Sequence, residues 1–175
     1  MGIVKEVAGW IFEIVVTVLI AFTCVYFAGL RTSVVGQSME ETLSSGDEIL
    51  VNRFLYKVTD PKPNDLVVFL PNGNEKSHYY VKRVIAVPGD TVLIRNGAVY
   101  VNGELFQEEA EVASIEEAGL AAEEITLGDD EYFVLGDNRN NSEDSRYANI
   151  GNVKKEYMIG KAWFRIAPLG KFGFL

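Results

Sequence analysis

The sequence predicts a mostly β protein, an antiparallel sheet or partly open barrel set behind one N-terminal membrane-spanning helix. Three observations predict it. Residues 7–30 are mostly apolar and carry no charge but Glu13. After Arg31, β-branched and aromatic runs recur between Gly, Pro, Asn and Asp, the punctuation of strands and turns. At 175 residues the chain has room for a spanning segment and one domain, with none for a second sizeable core. The expected division is a short tail over residues 1–6, the helix over 7–30 and the β domain over 31–175.

The helix comes first. Its 24 residues, rising about 1.5 Å each, cover roughly 36 Å, enough for a hydrocarbon core of about 30 Å. Glu13 lies near one end, where a long acidic side chain reaches the interface at less cost than at the centre. Trp10 and Tyr26 flank the segment as interfacial aromatics do. A cleaved secretory signal would have a shorter apolar core and a small-residue exit site. A buried helix of a globular domain would show a polar face. Lys5 and Arg31 stand at opposite ends, so the charge rule leaves the orientation open.

Strands are expected at residues 48–55, 65–70 and 79–87, broken by Pro61, Pro63, Pro71-Asn72-Gly73 and Pro88-Gly89-Asp90. Residues 91–95 and 98–101 flank Asn96-Gly97, a pair that accepts the positive φ angles of a type I′ hairpin turn. Later strands are expected at 131–135 and 158–166. Residues 108–124, rich in Ala and Glu, fit a short helix or an ordered loop equally well.

Charge and residue type narrow the function. A net charge of −9 argues against a nucleic-acid partner, which needs clustered Lys and Arg. Between Arg95 and Arg139 there is no basic residue, yet the stretch holds Glu104, Glu108, Glu109, Glu111, Glu116, Glu117, Glu123, Glu124, Asp129, Asp130 and Glu131; it reads as a solvated face or loop. Cys24 is single and lies in the apolar segment, which rules out an intrachain disulfide, and Phe22-Thr23 before it suit a lipobox poorly. His78 is the only histidine, so a zinc site is not expected.

Three blocks carry the chemistry. They are Gly36-Gln37-Ser38-Met39-Glu40-Glu41-Thr42-Leu43, then Tyr80-Val81-Lys82-Arg83-Val84-Ile85-Ala86-Val87-Pro88-Gly89-Asp90, then Gly136-Asp137-Asn138-Arg139-Asn140-Asn141-Ser142-Glu143-Asp144-Ser145-Arg146. In this order, behind an apolar segment, they resemble the bacterial type I signal peptidases, in the single-span, Gram-positive-like branch. The resemblance runs to about Phe164. It implies a membrane-anchored serine endopeptidase that removes signal peptides from exported preproteins after small residues, with its N-terminus cytoplasmic and the β domain outside. Its partners would be preproteins and the lipid bilayer, and no metal or organic cofactor is required.

On the residues themselves, Ser38 is the candidate nucleophile. A serine hydroxyl needs a base to take its proton, and Lys82 is the candidate, as in Ser-Lys acyl transfer. An ordinary lysine is neutral in only about one molecule in 2,500 at pH 7. The base role therefore needs a pKa lowered by about two to three units, which burial among Tyr80, Val81, Val84 and Ile85 can supply. Adjacent strand residues face opposite ways, so Arg83 is expected to point elsewhere. Asp137 and Asp144 are candidate partners for Arg83 and Arg146. The resemblance adds that Ser142 hydrogen-bonds the lysine and that Asp144 helps to hold the loop. The Ser38 backbone N–H is the natural oxyanion donor. Gly36 occupies a position where some family members carry a serine, and it is expected to let backbone or water come close. Candidate substrate-binding stretches are those around Val34-Val35 and Tyr79-Tyr80-Val81.

Two positions depart from the family pattern. Glu41 stands where a proline is common, so the turn after Ser38 must be held by other contacts, with the carboxylate expected to face solvent. Asn140 replaces a frequent aspartate. Two other readings are a self-cleaving repressor type, whose DNA-binding module would occupy the place of the apolar segment, and an anchored β-domain binding protein with a decayed site, for which Glu41 is the clue.

Overall fold

In the computed structural model, residues 2–175 are described, without the side chains of residues 3–4 and 24–28. The expected interfacial position of Tyr26 and the reading of Cys24 fall on side chains outside the described set. The first element is α1, Gly2–Ala28. Its large apolar side chains, among them Trp10, Phe12, Ile14 and Phe22, are exposed. Within it Lys5–Thr23 is long and apolar enough to cross a membrane. The helix stops at Ala28, and Gly29 and Leu30 already belong to a strand.

Twelve strands follow: β1 Gly29–Ser33, β2 Glu48–Asn52, β3 Leu66–Phe69, β4 Tyr80–Ala86, β5 Thr91–Arg95, β6 Ala98–Val101, β7 Glu104–Leu105, β8 Ile125–Thr126, β9 Glu131–Leu135, β10 Val153–Lys154, β11 Met158–Ala167 and β12 Gly173–Phe174. The larger sheet runs β1-β2-β11-β3-β4-β9-β10, with β12 also paired to β11. The smaller runs β7-β6-β5-β8. Every pairing is antiparallel. Among the described residues β1 pairs only with β2 and β10 only with β9, so the larger sheet curls without closing. The fold is the mostly β, partly open barrel that the sequence predicts.

The apolar runs become strands because the sheet buries them. β3 reads Leu-Val-Val-Phe and all four residues are buried. Val67 and Phe69 join a cluster with Tyr56, Val84, Tyr132 and Val134, whereas Leu66 and Val68 join Met39, Leu43, Ile49 and Val51. A strand covered on both faces needs no polar alternation. A third cluster, with Ile85, Val92, Ile94, Phe133 and Leu135, lies between the two sheets. Asn96 and Gly97 take φ +52° and +75°, the positive pair that a type I′ hairpin demands.

One expected strand is shortened and one open reading is resolved. The strand expected over residues 48–55 ends at Asn52, whose Oδ1 accepts the N–H groups of Phe54 and Leu55 and turns the chain into a single helical turn, Leu55–Val58. The acidic stretch resolves into an ordered loop with one 3-10 turn, Gly119–Ala122. Backbone bonds fix it, from Ile115 N–H to Gly97 O and from Leu120 N–H to Arg146 O.

Candidate active site

Ser38 stands on the turn that follows β1. The turn is tied at its base by Val34 N–H to Asp47 O and Gly46 N–H to Val34 O, and its far side is anchored by Met39 and Leu43, both buried. Gly36 adopts φ +92°, a conformation that L side chains resist. A Cβ there would meet nothing within 4 Å. The glycine therefore serves the bend and leaves open space beside the turn. The Ser38 N–H donates to no acceptor among the described residues.

Lys82 comes from β4, and its Nζ lies 2.6 Å from Ser38 Oγ. The side chain is buried, its residue only 2% exposed. Burial pushes its pKa down from 10.5 to about 8, against the carboxylates of Asp144, Glu143 and Asp137 and with a smaller push from Arg146. Desolvation of the ammonium wins. At pH 7 about one molecule in ten then holds a neutral Lys82, against about one in 2,500 for an unperturbed lysine.

Arg83, the next residue, turns away to Asp137. Its Nε and Nη2 donate to Oδ1 and Oδ2 at 2.8 and 2.7 Å, a buried two-pronged pair. The Thr42 hydroxyl donates to Asp137 Oδ2 at 2.6 Å, and Arg165 Nη2 donates to the Thr42 carbonyl. One residue past Glu41 is thus fastened to the third block. The second pair, Arg146 with Asp144, is equally buried, at 2.8 and 2.9 Å. Asp144 Oδ2 also accepts the N–H of Gly136, and Arg146 Nη2 donates to the Arg139 carbonyl.

The third block grips the nucleophile turn directly. Asn138 N–H donates to the Ser38 carbonyl and Asn138 Nδ2 to the Gln37 carbonyl. Gly136 is a close-contact position, since a Cβ there would fall 2.2 Å from Ser142 Oγ and 2.4 Å from Ser38 O. Ser142 departs from expectation. Its buried Oγ has no hydrogen-bond partner and packs against Gly136, so the bond to Lys82 implied by the resemblance is not formed. The residues that sequence reasoning missed are Thr42 and Asn138, which clamp the turn, and Glu143, the partner of Tyr80, a residue already expected beside Lys82. The Tyr80 ring centroid is 5.4 Å from Lys82 Nζ and its hydroxyl donates to Glu143 Oε2 at 3.3 Å.

Beside the pair opens a cleft of about 360 Å³, lined by residues 32–39, 78–82, Asn141 and Glu143. Its two walls are strands with a free edge. Among the described residues β1 has no second neighbour. Tyr80, Val81 and Lys82 pair with β3 alone, because the register with β9 begins at Arg83. That these walls face each other, though three strands separate them in the sheet order, reflects the curl of the sheet.

Residues 7–167 match the family model for signal peptidase, peptidase S26. The chain belongs to the S26 signal peptidase family. It is 36% identical over 157 residues to a probable signal peptidase I-2 of Synechocystis, covering 84% of this chain and 70% of that protein. It is 35% identical over 174 residues to signal peptidase I P of Bacillus subtilis subsp. natto, covering 95% and 92%. A crystal structure of a signal peptidase I from Enterococcus faecalis V583 aligns with 29% identity and a TM-score of 0.45, covering 59% of this chain and 97% of that one. As a family member the protein is a serine peptidase.

Both departures from the family pattern have a local structural account. Glu41 sits at φ +84°, which proline cannot adopt. The turn is held by Thr42 and Leu43 N–H to the Met39 carbonyl and by the Thr42–Asp137 bond. The Glu41 side chain is exposed and is not among the charges acting on Lys82. Asn140 accepts the N–H of Glu116 on Oδ1 and donates from Nδ2 to the Ser114 carbonyl. An aspartate could not make the second bond. With Arg139 paired to Glu108 at 2.7 Å, it joins the third block to the acidic loop.

Proposed function

We propose that Ser38 and Lys82 are the nucleophile and base of a membrane-anchored endopeptidase that removes signal peptides from exported preproteins after small residues. The observation that carries it is the 2.6 Å contact between Ser38 Oγ and a buried Lys82 with a pKa near 8, open to a cleft with a free strand edge on each side. An extended peptide adds its backbone to such edges, and Val34, Val35 and Val81 give that cleft apolar walls.

Neutral Lys82 takes the proton of Ser38 Oγ as the oxygen bonds to the scissile carbonyl carbon. The Ser38 N–H donates to the oxyanion. The new ammonium returns its proton to the leaving amine as the C–N bond breaks, leaving an acyl ester on Ser38. Lys82 then takes a proton from water as it attacks the ester, and returns it to Ser38 Oγ. The Arg83–Asp137 and Asp144–Arg146 pairs position the turn and touch no reacting atom.

In this reading α1 crosses the bilayer with residues 1–6 in the cytoplasm and the β domain outside. A cluster around Phe164 supplies apolar surface for the lipid: Phe164 meets Phe172 and Phe174 edge to face, with ring centroids 4.8 and 5.0 Å apart, and Phe172 and Phe174 are exposed. Glu41, the clue for a decayed binding domain, is exposed and is not among the main charges acting on Lys82, which supports the active enzyme. The test is cleavage of a preprotein by detergent-solubilised full chain beside Ser38→Ala and Lys82→Met. Wild type cleaves and both variants lose activity; a wild type as inert as its variants refutes the reading.

A further inference from the structure

The charged side chains of the third block are almost all paired away from the cleft. Asp137, Asp144, Arg139 and Arg146 are buried, each in an ion pair. Glu143 is the exception. It is exposed, and among the residues lining the cleft it is the only carboxylate. It is also held in place: the Tyr80 hydroxyl donates to it at 3.3 Å, while the same ring stands beside Lys82. A tethered carboxylate loses less side-chain freedom on meeting a partner than a free one.

The charge balance of the cleft gives this placement its consequence. Lys82 and Glu143 are its only charged lining residues when His78 is neutral. Lys82 must be neutral to act as the base. In the reactive form the cleft therefore carries the charge of Glu143 with no cation of its own beside it. A cationic side chain on the bound peptide restores the balance, and an anionic one worsens it.

We infer that Glu143, tethered by Tyr80, is a specificity-determining residue that favours a basic over an acidic substrate side chain next to the cut. The inference rests on the peptidase reading above, and concerns which substrates are preferred. The pair is partly exposed, so a preference of about twofold to fivefold is expected, falling at about 0.5 M salt through screening.

The test uses full chain in detergent and peptides bearing an Ala-x-Ala site. Lys, Gln or Glu replaces in turn the residue between the two alanines and each of the first two residues after the cut. The readout is the ratio of kcat/KM for the Lys peptide to that for the Glu peptide. Wild type gives about twofold to fivefold at one or more positions, Glu143→Gln brings that ratio towards one, and Glu143→Lys inverts it. Tyr80→Phe, which frees the carboxylate, lowers it in part. Glu123→Gln, an exposed glutamate outside the cleft, keeps the wild-type ratio. The inference is overturned if Glu143→Gln cleaves the Gln peptides yet keeps the wild-type ratio everywhere, or if Glu123→Gln lowers it as much. Failure of wild type to cut any peptide, the Gln series included, refutes the peptidase reading and this inference with it.

Discussion

Replacing Lys82 by methionine should abolish activity and, at neutral pH, make the protein more stable. Methionine keeps the unbranched stem and removes the charge. The native pKa is about 8 against an ordinary value of 10.5. At about 1.36 kcal/mol per pH unit, holding the ammonium in this site costs the folded state roughly 3 kcal/mol. Losing the contact with Ser38 gives back about 1 kcal/mol, so Lys82→Met should gain about 2 kcal/mol below pH 8. The pH dependence carries the sign. Below pH 8 the lysine is charged in both folded and unfolded chains, and the full penalty is present. Between pH 8 and 10.5 only the unfolded chain keeps the proton, and the penalty fades as pH rises. Above 10.5 it is gone, and wild type should lead by about 1 kcal/mol. Urea unfolding of both proteins in one detergent, from pH 6.5 to about 10.5, measures the difference. A wild type already more stable at pH 7, or a difference that stays flat across the range, would refute the argument that burial sets this pKa.

Other predictions follow from the same contacts. The rate constant kcat/KM should rise with pH on a limb centred near 8, and Glu143→Gln should move that limb lower, since Glu143 acts with Asp144 and Asp137 to hold the proton on Lys82 while Arg146 opposes them; a limb unmoved or raised contradicts this. Asp137→Asn strips the charge partner from buried Arg83 and should cost about 3–5 kcal/mol in unfolding free energy, with a drop in kcat from the released Thr42. Glu41→Gly should stabilise by about 1 kcal/mol by relieving the left-handed backbone. Glu41→Pro, the residue the family favours, should destabilise, because φ +84° is closed to it; unchanged melting for both would show that the turn differs from the one described.

The hairpin at residues 91–101 was legible because Asn96-Gly97 writes its turn into the sequence. β1 was not. Gly29 and Leu30 continue the apolar run of the helix, and hydropathy cannot mark where a spanning segment gives way to a strand. The two-residue strands β7, β8, β10 and β12 have no local pattern, being defined by partners elsewhere in the chain. The same divide runs through the site. Ser38, Lys82 and the two Arg–Asp pairs could be named because each sits in a distinctive block. The clasp between Thr42 and Asp137 joins residues 95 apart and that between Tyr80 and Glu143 residues 63 apart. Nothing local in either block announces such a contact, and the curl of the sheet decides it. Glu41 was legible as an oddity, but its backbone conformation was not.

The position of β11 sets how the two walls of the cleft stand to each other. The cleft has one wall from β1 and the other from β4, and these belong to two pieces, β1-β2 and β3-β4, that share no strand pairing of their own. β11 joins them, pairing with β2 on one side and β3 on the other. It is drawn from Met158–Ala167 and gives the cleft no lining residue. The spacing of the two walls thus depends on a strand that pairs with neither of them. A change in β11 that shifts its register would move Ser38 relative to Lys82 with every lining residue intact.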